Sequence, residues 1–461
     1  MQVLFLARSA FDESPVLAEA SAALRARGHH TSLLIDAQEP GLWTLARDLR
    51  PDVAVVQASL LARDWARQTA YRAHVVLDAP VALVGSYPTF LPGEALESRA
   101  DVAVLGDCED TLVELAERVA GGDGYAGLAG TAYTDGDSTV RNPLRPLRAD
   151  LDALPLPDRD LYWARYPGLR AFPWKRFLAA RGCSYSCAYC YQPALRRGYG
   201  EPNGWVRIKS VGRVVEEIRD VAARSPLRHV HFGDDVFGAR AEWVEELAEH
   251  YPRVVRVPFS CHLAPELTTE RTVRALARAG CRALGIGVES GDERHRREVL
   301  NRRASDAQVI DAARRVRAAG IALVTFNLVG SPGEDADRVW RTIRFNQRLH
   351  ADFARVTLAV ALPGTPFGER RAPSEGSARA EVTREVRNLY HLFGLATSIP
   401  MIAPLVRRLA TLRFVPFRTL ANLVRLWKER TTFGVPVLAG LRYFAEFGPP
   451  DRRTQAFAAL P

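Results

Sequence analysis

Residues 177–190 read FLAARGCSYSCAYC, a short apolar run followed directly by three cysteines within eight residues. Their spacing is C-x3-C-x2-C, at Cys183, Cys187 and Cys190. Thiolates gathered in a reducing compartment select zinc, copper(I) or an iron–sulfur cluster. A structural zinc site takes four ligands, and no fourth cysteine or nearby histidine completes this set. Three thiolates on one short loop therefore favour a [4Fe–4S] cluster whose fourth iron stays open to another ligand.

The segments that follow the cysteines alternate strand-like and helix-like patterns. Six short apolar runs predict strands at 177–181, 229–233, 257–263, 283–290, 323–330 and 355–364. Six strand–helix units are too few for a closed eight-unit barrel. The sequence therefore predicts a partial (β/α)6 barrel over residues 177–370, with its chemistry at the C-terminal ends of the strands.

The N-terminal region predicts a separate α/β domain. Five runs at 3–7, 31–35, 53–59, 81–85 and 102–106 are apolar and rich in β-branched residues, as in strands buried on both faces of a parallel sheet. We predict a doubly wound, Rossmann-like domain over residues 1–125. Ligands of such sheets bind beyond the carboxyl ends of the strands, which directs attention to the loop at 85–92.

The remaining segments differ from both domains in composition. Residues 126–176 are rich in Gly, Asp and Pro and predict a linker. Residues 371–461 are basic and mainly helical in pattern. Within them the amphipathic stretch 401–427 could lie on a membrane surface, but such a segment more often packs on a neighbouring domain. We therefore predict a mainly helical C-terminal cap.

Composition limits the class of protein. The chain has 461 residues, of which 47% are hydrophobic and 25% charged, as in folded globular proteins. No apolar run approaches the roughly 20 residues that a membrane span needs, and the N-terminus does not resemble a secretory signal. These features predict a cytoplasmic protein without a transmembrane segment. The net charge is +9, but only three of the 62 basic residues are lysine, which suggests coding bias more than phosphate binding, so we predict no nucleic-acid partner.

The cysteine motif resembles that of the radical SAM superfamily. The resemblance rests on C-x3-C-x2-C after the first strand of a six-stranded partial barrel, with the aromatic Tyr189 before the last cysteine. It implies that a [4Fe–4S] cluster held by Cys183, Cys187 and Cys190 binds S-adenosylmethionine (SAM) at its open iron. An external flavodoxin- or ferredoxin-like donor would supply the electron that cleaves SAM to a 5′-deoxyadenosyl radical. The alternative is three buried or zinc-binding cysteines.

Later segments resemble the strand ends that contact SAM in this family. Asp234-Asp235 stands where the family has a Gly-Gly-Glu-like segment, and a carboxylate there suits the SAM ammonium group. Each segment taken alone could be an ordinary turn that ends a barrel strand. The resemblance implies SAM contacts from Tyr189, Asp234, Asp235, Glu289, Ser290, Asn327, Gly330 and Leu362.

Residues 84–112 resemble the cobalamin-binding class of radical SAM enzymes, the class B methyltransferase-like group. The loop departs from that pattern because Ser86 replaces a glycine, no histidine is present, and Asp107-Cys108 replaces Glu-Gly. No histidine occurs at 7–13 either, so cobalamin would have no histidine below cobalt. The resemblance implies a cobalamin site at Ser59, Gly85, Ser86, Tyr87 and Thr89.

Together these resemblances imply a cobalamin-dependent enzyme that methylates an unactivated carbon of a small-molecule natural product, using a 5′-deoxyadenosyl radical and methylcobalamin. Three alternatives remain: radical cyclisation or rearrangement with the same cofactors, a radical SAM enzyme whose first domain no longer binds cobalamin, and a sensor without turnover. A sensor needs no open iron, which disfavours the last of these. The sequence does not name the substrate.

Overall fold

The computed structural model describes residues 1–9, 13–200, 202–369 and 382–413. Within them the chain forms two compact units. Of the described residues, the first unit comprises Met1–Ala171 with Arg197–Gly204, and the second comprises Phe172–Arg196 with the described residues from Trp205 to Arg413.

The first unit alternates strands and helices through its first 121 residues. Its strands are β1 (Gln2–Ala7), β2 (His30–Ile35), β3 (Val53–Gln57), β4 (Val81–Val84), β5 (Val102–Val104), β6 (Thr131–Asp135) and β7 (Ser138–Arg141). Its helices are α1 (Pro15–Ala26), α2 (Leu42–Asp48), α3 (Arg63–Val76), α4 (Ser86–Phe90), α5 (Pro92–Leu96), α6 (Glu109–Gly121), α7 (Asp160–Trp163) and α8 (Pro167–Ala171). Short 3₁₀ helices span Asp36–Gln38 and Leu60–Ala62.

These strands form one sheet in the order β2-β1-β3-β4-β5-β6-β7. The pairs from β2 to β5 are parallel, and β6 and β7 add antiparallel strands at one edge. Strands β3 and β4 are almost wholly buried because helices cover both faces of a sheet built this way. The predicted doubly wound α/β fold is confirmed, and its 2-1-3-4-5 order is that of flavodoxin-like sheets.

The segment predicted as a linker contains part of this sheet. Strands β6 and β7 form a hairpin that turns at Gly136, whose φ is +57°. Both strands lie at the sheet edge, where the side chains at 134–139 are exposed and polar. An edge hairpin of this kind carries no continuous apolar run, so its sequence reads as a connection.

The second unit continues the alternation. Its strands are β8 (Trp174–Phe177), β9 (Ala180–Arg181), β10 (Arg207–Ile208), β11 (His229–Phe232), β12 (Phe259–Leu263), β13 (Cys281–Glu289), β14 (Ala322–Val329) and β15 (Phe353–Leu358). Its helices are α9 (Gln192–Gly198), which runs into the first unit, α10 (Val211–Arg224), α11 (Ala241–Val254), α12 (Glu270–Ala279), α13 (Glu293–Glu298), α14 (Asp306–Ala318), α15 (Ala336–Leu349), α16 (Pro366–Glu369), α17 (Arg384–Ser398) and α18 (Ala403–Leu409). Short 3₁₀ helices span Pro265–Leu267 and Pro400–Ile402.

Six of these strands form a parallel sheet in the order β15-β14-β13-β12-β11-β8, which is the reverse of chain order. The predicted partial barrel is confirmed. Its first strand lies at Trp174–Phe177, earlier than the predicted 177–181. The chain leaves the sheet after Phe177, and Ala180–Arg181 pairs instead with β10 in a separate antiparallel ladder.

The two faces of this sheet differ in what covers them. On β14 the side chains of Thr325 and Asn327 both contact Asn346 of α15, so this face is covered by helices. Because side chains alternate along a strand, Phe326 projects to the opposite face. We call that opposite face the concave face. Several of its side chains are partly accessible, namely Trp174, Arg176, His262, Phe326 and Arg355.

Helices α17 and α18 pack on the outside of the second unit. Leu389 and Phe393 of α17 are buried against residues of α15 and β15, such as Ile343 and Ala354. The described part of the predicted cap, residues 382–413, is thus helical. Residues 414–461, including the rest of the amphipathic stretch, lie outside the described residues. None of the helices in the described ranges is long and apolar enough to cross a bilayer.

Candidate functional site

The cysteine loop, residues 182–190, lies beyond the C-terminal end of β8 and is held by its backbone. The amide of Ala188 donates to the carbonyl of Leu300 (3.0 Å), and Asn301 Nδ2 donates to the carbonyl of Ser186 (2.6 Å). Arg196 adds a bond to the carbonyl of Ser184 (3.0 Å). The segment after α13 and the helix that follows the loop therefore fix its path.

The three thiols lie inside the fold. Cys183 and Cys187 are buried, and Cys190 is half-buried. Burial raises the pKa of Cys183 to about 11 and that of Cys190 to about 12, with nearby Asp235 and the other cysteines adding to the effect. Cys183 and Cys190 therefore keep their protons until a metal displaces them.

The donor set fits a cluster better than a single ion. Within the described part of the chain, no three Cys, His, Asp or Glu side chains are arranged to hold one metal ion. A [4Fe–4S] cluster places each thiolate on a different iron, so the thiolates need not converge on one point. Three buried thiols on a fixed loop satisfy that requirement.

Arg302 joins the cysteine loop to the end of β13. Its Nη1 lies 3.6 Å from Sγ of Cys187, and its Nη2 donates to the carbonyl of Gly287 (2.9 Å). It also opposes the rise that burial causes in the pKa of Glu289, whose carboxyl is hydrogen-bonded to Tyr189. A cation here is favoured because thiolate, carboxylate and carbonyl groups surround it. No sequence motif predicted this residue, because a single arginine in an arginine-rich chain carries no signal.

Glu289 has an unusual backbone. Its φ is +62°, and the pairing of β13 with β14 shifts register between Gly287 and Glu289. A Cβ on Gly287 would lie 2.7 Å from both Glu289 Oε1 and Arg302 Nη2, so a side chain there would displace the ends of these two side chains. A buried non-glycine residue in the left-handed region is strained, and such residues concentrate at functional sites.

The two adjacent aspartates after β11 face different partners. Asp234 Oδ1 accepts from the amides of Ala179 (2.9 Å) and Ala180, and its buried Oδ2 has no hydrogen-bond partner among the described residues. Asp235 Oδ2 accepts from Gln192 Nε2 (2.5 Å), and its charge acts on the thiols of the cysteine loop. Burial raises the pKa of Asp234 to about 7 and that of Asp235 to about 6. Asp234 therefore supports the loop backbone, whereas Asp235 lies beside the cysteines.

The other predicted SAM residues are placed as follows. Ser290 is fully buried next to Glu289, and its carbonyl accepts from Arg296 (2.6 Å). Gly330, with φ +85°, ends β14, and the carbonyl of Leu362 accepts from the Thr365 hydroxyl in a turn. Asn327 bonds to the carbonyl of Arg355 and to Asn346 on the helix-covered face. The structure therefore does not bring Asn327 to the cysteine loop, and its neighbour Leu328 packs near that loop instead.

The predicted cobalamin residues divide into accessible and internal groups. Ser59 and Gly85 are exposed after β3 and β4. Ser86 Oγ accepts from the amide of Leu60 (3.0 Å), and Thr89 Oγ1 accepts from the amide of Gly106 (3.0 Å). Tyr87 is buried, with its hydroxyl 3.4 Å from Glu94 Oε1. The hydroxyl groups of this loop therefore hold the loop itself, and Ser59 and Gly85 remain open to a ligand.

Comparison with protein families assigns this site. Residues 178–345 match the model of the radical SAM superfamily. These residues form a radical SAM domain. The family implies a [4Fe–4S] cluster and SAM, which confirms those cofactor predictions, and an electron from an external reductant. The matched segment begins just before the cysteine loop and includes Asp235, Glu289 and Arg302.

Two curated relatives differ in their stated activities. An uncharacterised methyltransferase from Pyrococcus horikoshii is 26% identical over 292 residues, which is 63% of this chain and 62% of that protein. An anaerobic magnesium-protoporphyrin IX monomethyl ester cyclase from Cereibacter sphaeroides is 25% identical over 338 residues, which is 70% of this chain and 53% of that protein. This chain thus spans between about half and three-fifths of the length of these relatives.

Solved structures share the fold of both units. The radical SAM methyltransferase TsrM from Kitasatospora setae, solved with tryptophan and a SAM analogue, has a TM-score of 0.67 at 20% identity, over 80% of this chain and 75% of that one. The cobalamin-dependent SAM radical enzyme OxsB, solved with aqua-cobalamin and SAM, has a TM-score of 0.68 at 17% identity, over 98% of this chain and 74% of that one. At these identities the likeness shows the fold alone.

Proposed function

We propose that this radical SAM protein is a cobalamin-dependent methyltransferase that acts on an unactivated carbon of a small molecule. The observation that carries the proposal is the presence, in one chain, of a 2-1-3-4-5 parallel sheet and a six-stranded half-barrel with the cysteine loop at its first strand end. TsrM and OxsB, named for SAM radical chemistry and described with cobalamin, share the overall fold of this chain. We assign cobalamin binding to residues 1–125, radical chemistry to residues 177–370 and capping to residues 371–461.

The half-barrel residues have distinct roles in this proposal. Cluster and SAM, when bound, supply hydrogen-atom abstraction, and cobalamin supplies the methyl group. Cys183, Cys187 and Cys190 hold three irons. Asp235, beside the cysteine loop, offers a carboxylate to the SAM ammonium group, while Arg302 retains positive charge next to Cys187.

The first unit fits a corrinoid at its strand ends. Gly85 has φ +117°, and a Cβ there would lie 2.7 Å from the carbonyl oxygen of Ala58, so the two loops approach closely. Ser59 is small and exposed beside it. Sheets of this order bind ligands at this edge, where Ser59 and Gly85 are exposed. Ser59 and Gly85 would contact cobalamin, with Ser86 and Thr89 supporting them.

Cyclisation is the second candidate. The Cereibacter relative is named as a cyclase and covers 70% of this chain. A cyclase and a methyltransferase of this class use the same cofactors, so the residues described above do not separate them. The products do.

The decisive experiment is anaerobic reconstitution of the full chain with iron, sulfide and hydroxocobalamin, followed by mass spectrometry of SAM products with candidate small molecules. Methylation predicts S-adenosylhomocysteine, 5′-deoxyadenosine and a product heavier by one methylene. Cyclisation predicts 5′-deoxyadenosine without S-adenosylhomocysteine. A protein that binds no cobalamin would contradict both.

Cys187→Ala tests the cluster assignment in the same assay. We expect it to lose most bound iron and at least about a hundredfold of 5′-deoxyadenosine formation, because only two thiolates remain. Cys261→Ala is the matched control, since Cys261 lies buried in β12, 4.0 Å from Cys281, and should keep both. Unchanged iron in Cys187→Ala, or zinc in the parent protein, would contradict the assignment.

A further inference from the structure

Four rings form a continuous band across the concave face of the half-barrel. Trp174 of β8 stacks on His231 of β11 with centroids 5.0 Å apart, and His231 meets His262 of β12 at 5.0 Å. His262 contacts Phe326 of β14 edge-on at 4.7 Å. We call these residues the aromatic band. Its rings come from four of the six strands, and the band also passes over a fifth, β13.

Gly285 of β13 completes the band by having no side chain. It pairs with His262, and a Cβ there would lie 2.4 Å from Phe326 and 2.8 Å from His262. The two rings therefore meet over this strand only because glycine occupies it. Trp174, His262 and Phe326 remain partly accessible, so the band is an open floor of the concave face and not a closed core.

Two arginines lie at opposite edges of this floor. Arg176 of β8 pairs in register with His231, and Arg355 of β15 pairs with Phe326 and places its guanidinium 5.9 Å from that ring centroid. The pKa of His262 is lowered to about 3. Burial is the largest cause, and the charges of both arginines add to it. Burial, then His262, Arg176, His229 and Arg355, hold the pKa of His231 well below its usual value. At neutral pH the imidazoles are uncharged, and the charge acting on the floor is that of the arginines.

We propose that the concave face binds a planar, unsaturated substrate that carries an oxyanion, with its ring on the aromatic band and its oxyanion at Arg355. This inference rests on the proposed function, because it names the substrate class of the same half-barrel. Flat rings gain from stacking on aromatic side chains, and guanidinium groups pair with planar oxyanions. Arg176 adds to the positive potential of the floor, but its charge also lowers the pKa of Asp235. A variant of Arg176 would therefore not test the binding of the oxyanion alone.

The proposal can be tested by equilibrium dialysis of the anaerobically reconstituted full chain with four probes. They are 1-naphthoate, 1-naphthyl phosphate, neutral 1-naphthamide and the saturated decahydronaphthalene-1-carboxylate. We expect either 1-naphthoate or 1-naphthyl phosphate to bind at least about tenfold more tightly than both 1-naphthamide and decahydronaphthalene-1-carboxylate. The preferred anion distinguishes a carboxylate substrate from a phosphate substrate. Equal binding of 1-naphthamide, or no binding of any probe, would overturn the proposal.

Variants assign the binding to this face. Arg355→Gln should remove the advantage of the anion over 1-naphthamide, and Phe326→Leu should weaken all aromatic probes by about threefold or more. Arg314→Gln, an exposed position on α14, is the matched control and should bind as the parent does. An unchanged preference in Arg355→Gln would place the anion elsewhere. Iron content and SAM binding, measured on the same samples, report separately on the proposed function.

Discussion

Glu334 is a largely internal carboxyl at the end of β14. Its Oε2 accepts from the amides of Gly330 (2.7 Å) and Ser331 (3.1 Å), and its Oε1 is buried without a hydrogen-bond partner among the described residues. Burial raises its pKa to about 7. Between about pH 4.5 and pH 7 the folded state therefore holds a proton that the unfolded state has lost, and stability from this site falls as the pH rises through that window.

Glu334→Gln should remove that pH dependence. Because glutamine carries no proton to lose, the Tm of the variant relative to the parent should rise between pH 5 and pH 8, by about 2 °C or more. Thermal unfolding of the cluster-free chain at several pH values measures the difference. An offset that stays constant across the range would refute the assignment of a raised pKa.

Arg302 and Glu289 should behave as a coupled pair. Arg302→Met removes the cation that opposes the rise in the pKa of the buried Glu289 carboxyl, so a charge left on Glu289 would be uncompensated and the variant should be less stable than the parent. Adding Glu289→Gln removes the uncompensated charge, so the double variant should unfold at a higher temperature than Arg302→Met alone. Thermal unfolding of the parent, both single variants and the double variant closes the cycle. Additive losses would show that the two side chains do not interact.

The residue types in the sequence indicated the chemistry of this site, but they did not indicate the directions in which the side chains point. The three cysteines, Asp235 and Glu289 lie where the motif order predicts, because each follows a strand and strand ends meet at one edge. Asp234 and Asp235 are adjacent and chemically alike, yet one supports the backbone at Ala179 and the other lies beside the thiols. Which carboxylate faces which way depends on where the chain leaves the sheet, and composition does not encode that.

At the scale of elements, apolar runs located the parallel strands of both sheets except β8. The exceptions have physical causes. Strand β8 has Trp174 and Arg176 at its inward positions, so no apolar run marks it in the sequence. The apolar residues at 178–180, which were predicted as part of the strand, lie beyond the sheet. The position of Asn327 in its motif predicted a SAM contact, but the alternation of side chains along β14 directs Asn327 toward α15. The β6–β7 hairpin was predicted as a linker because most of its side chains are polar, as is common at the edge of a sheet.

Gly182 tests how strictly the cysteine loop is shaped. Its φ is +90°, and a Cβ would lie 2.4 Å from the carbonyl oxygen of Trp205, which is backbone and cannot swing away. Gly182→Ala should therefore shift Cys183 and lower iron content severalfold. The matched control is Gly212→Ala inside α10, where the nearest heavy atom is 3.8 Å away and alanine favours the helix. Equal iron in both variants would show that the loop adapts to a side chain.

For the whole molecule, the functional assignment requires that each unit has a ligand of its own. The half-barrel contains the cysteine loop, Arg302 and the aromatic band, all of which consist of residues of the second unit. The first unit offers only loop backbone and small side chains near Ser59 and Gly85. Cluster loading and cobalamin loading should therefore be separable by mutation, which distinguishes a corrinoid-binding sheet from one that serves as a scaffold.

Ser59→Phe provides that separation. Ser59 is exposed at the end of β3, so a phenyl group there fills the space above the strand ends without disturbing the core. We expect cobalamin bound per chain, read from its absorbance, to fall at least about fivefold while iron content stays at the parent level. Ser138→Phe, at an exposed position on edge strand β7, is the matched control and should retain both cofactors. If Ser59→Phe binds as much cobalamin as Ser138→Phe, the corrinoid does not contact the β3 end, and if neither the parent nor the control binds any, the first unit is a scaffold and methylation through cobalamin is excluded.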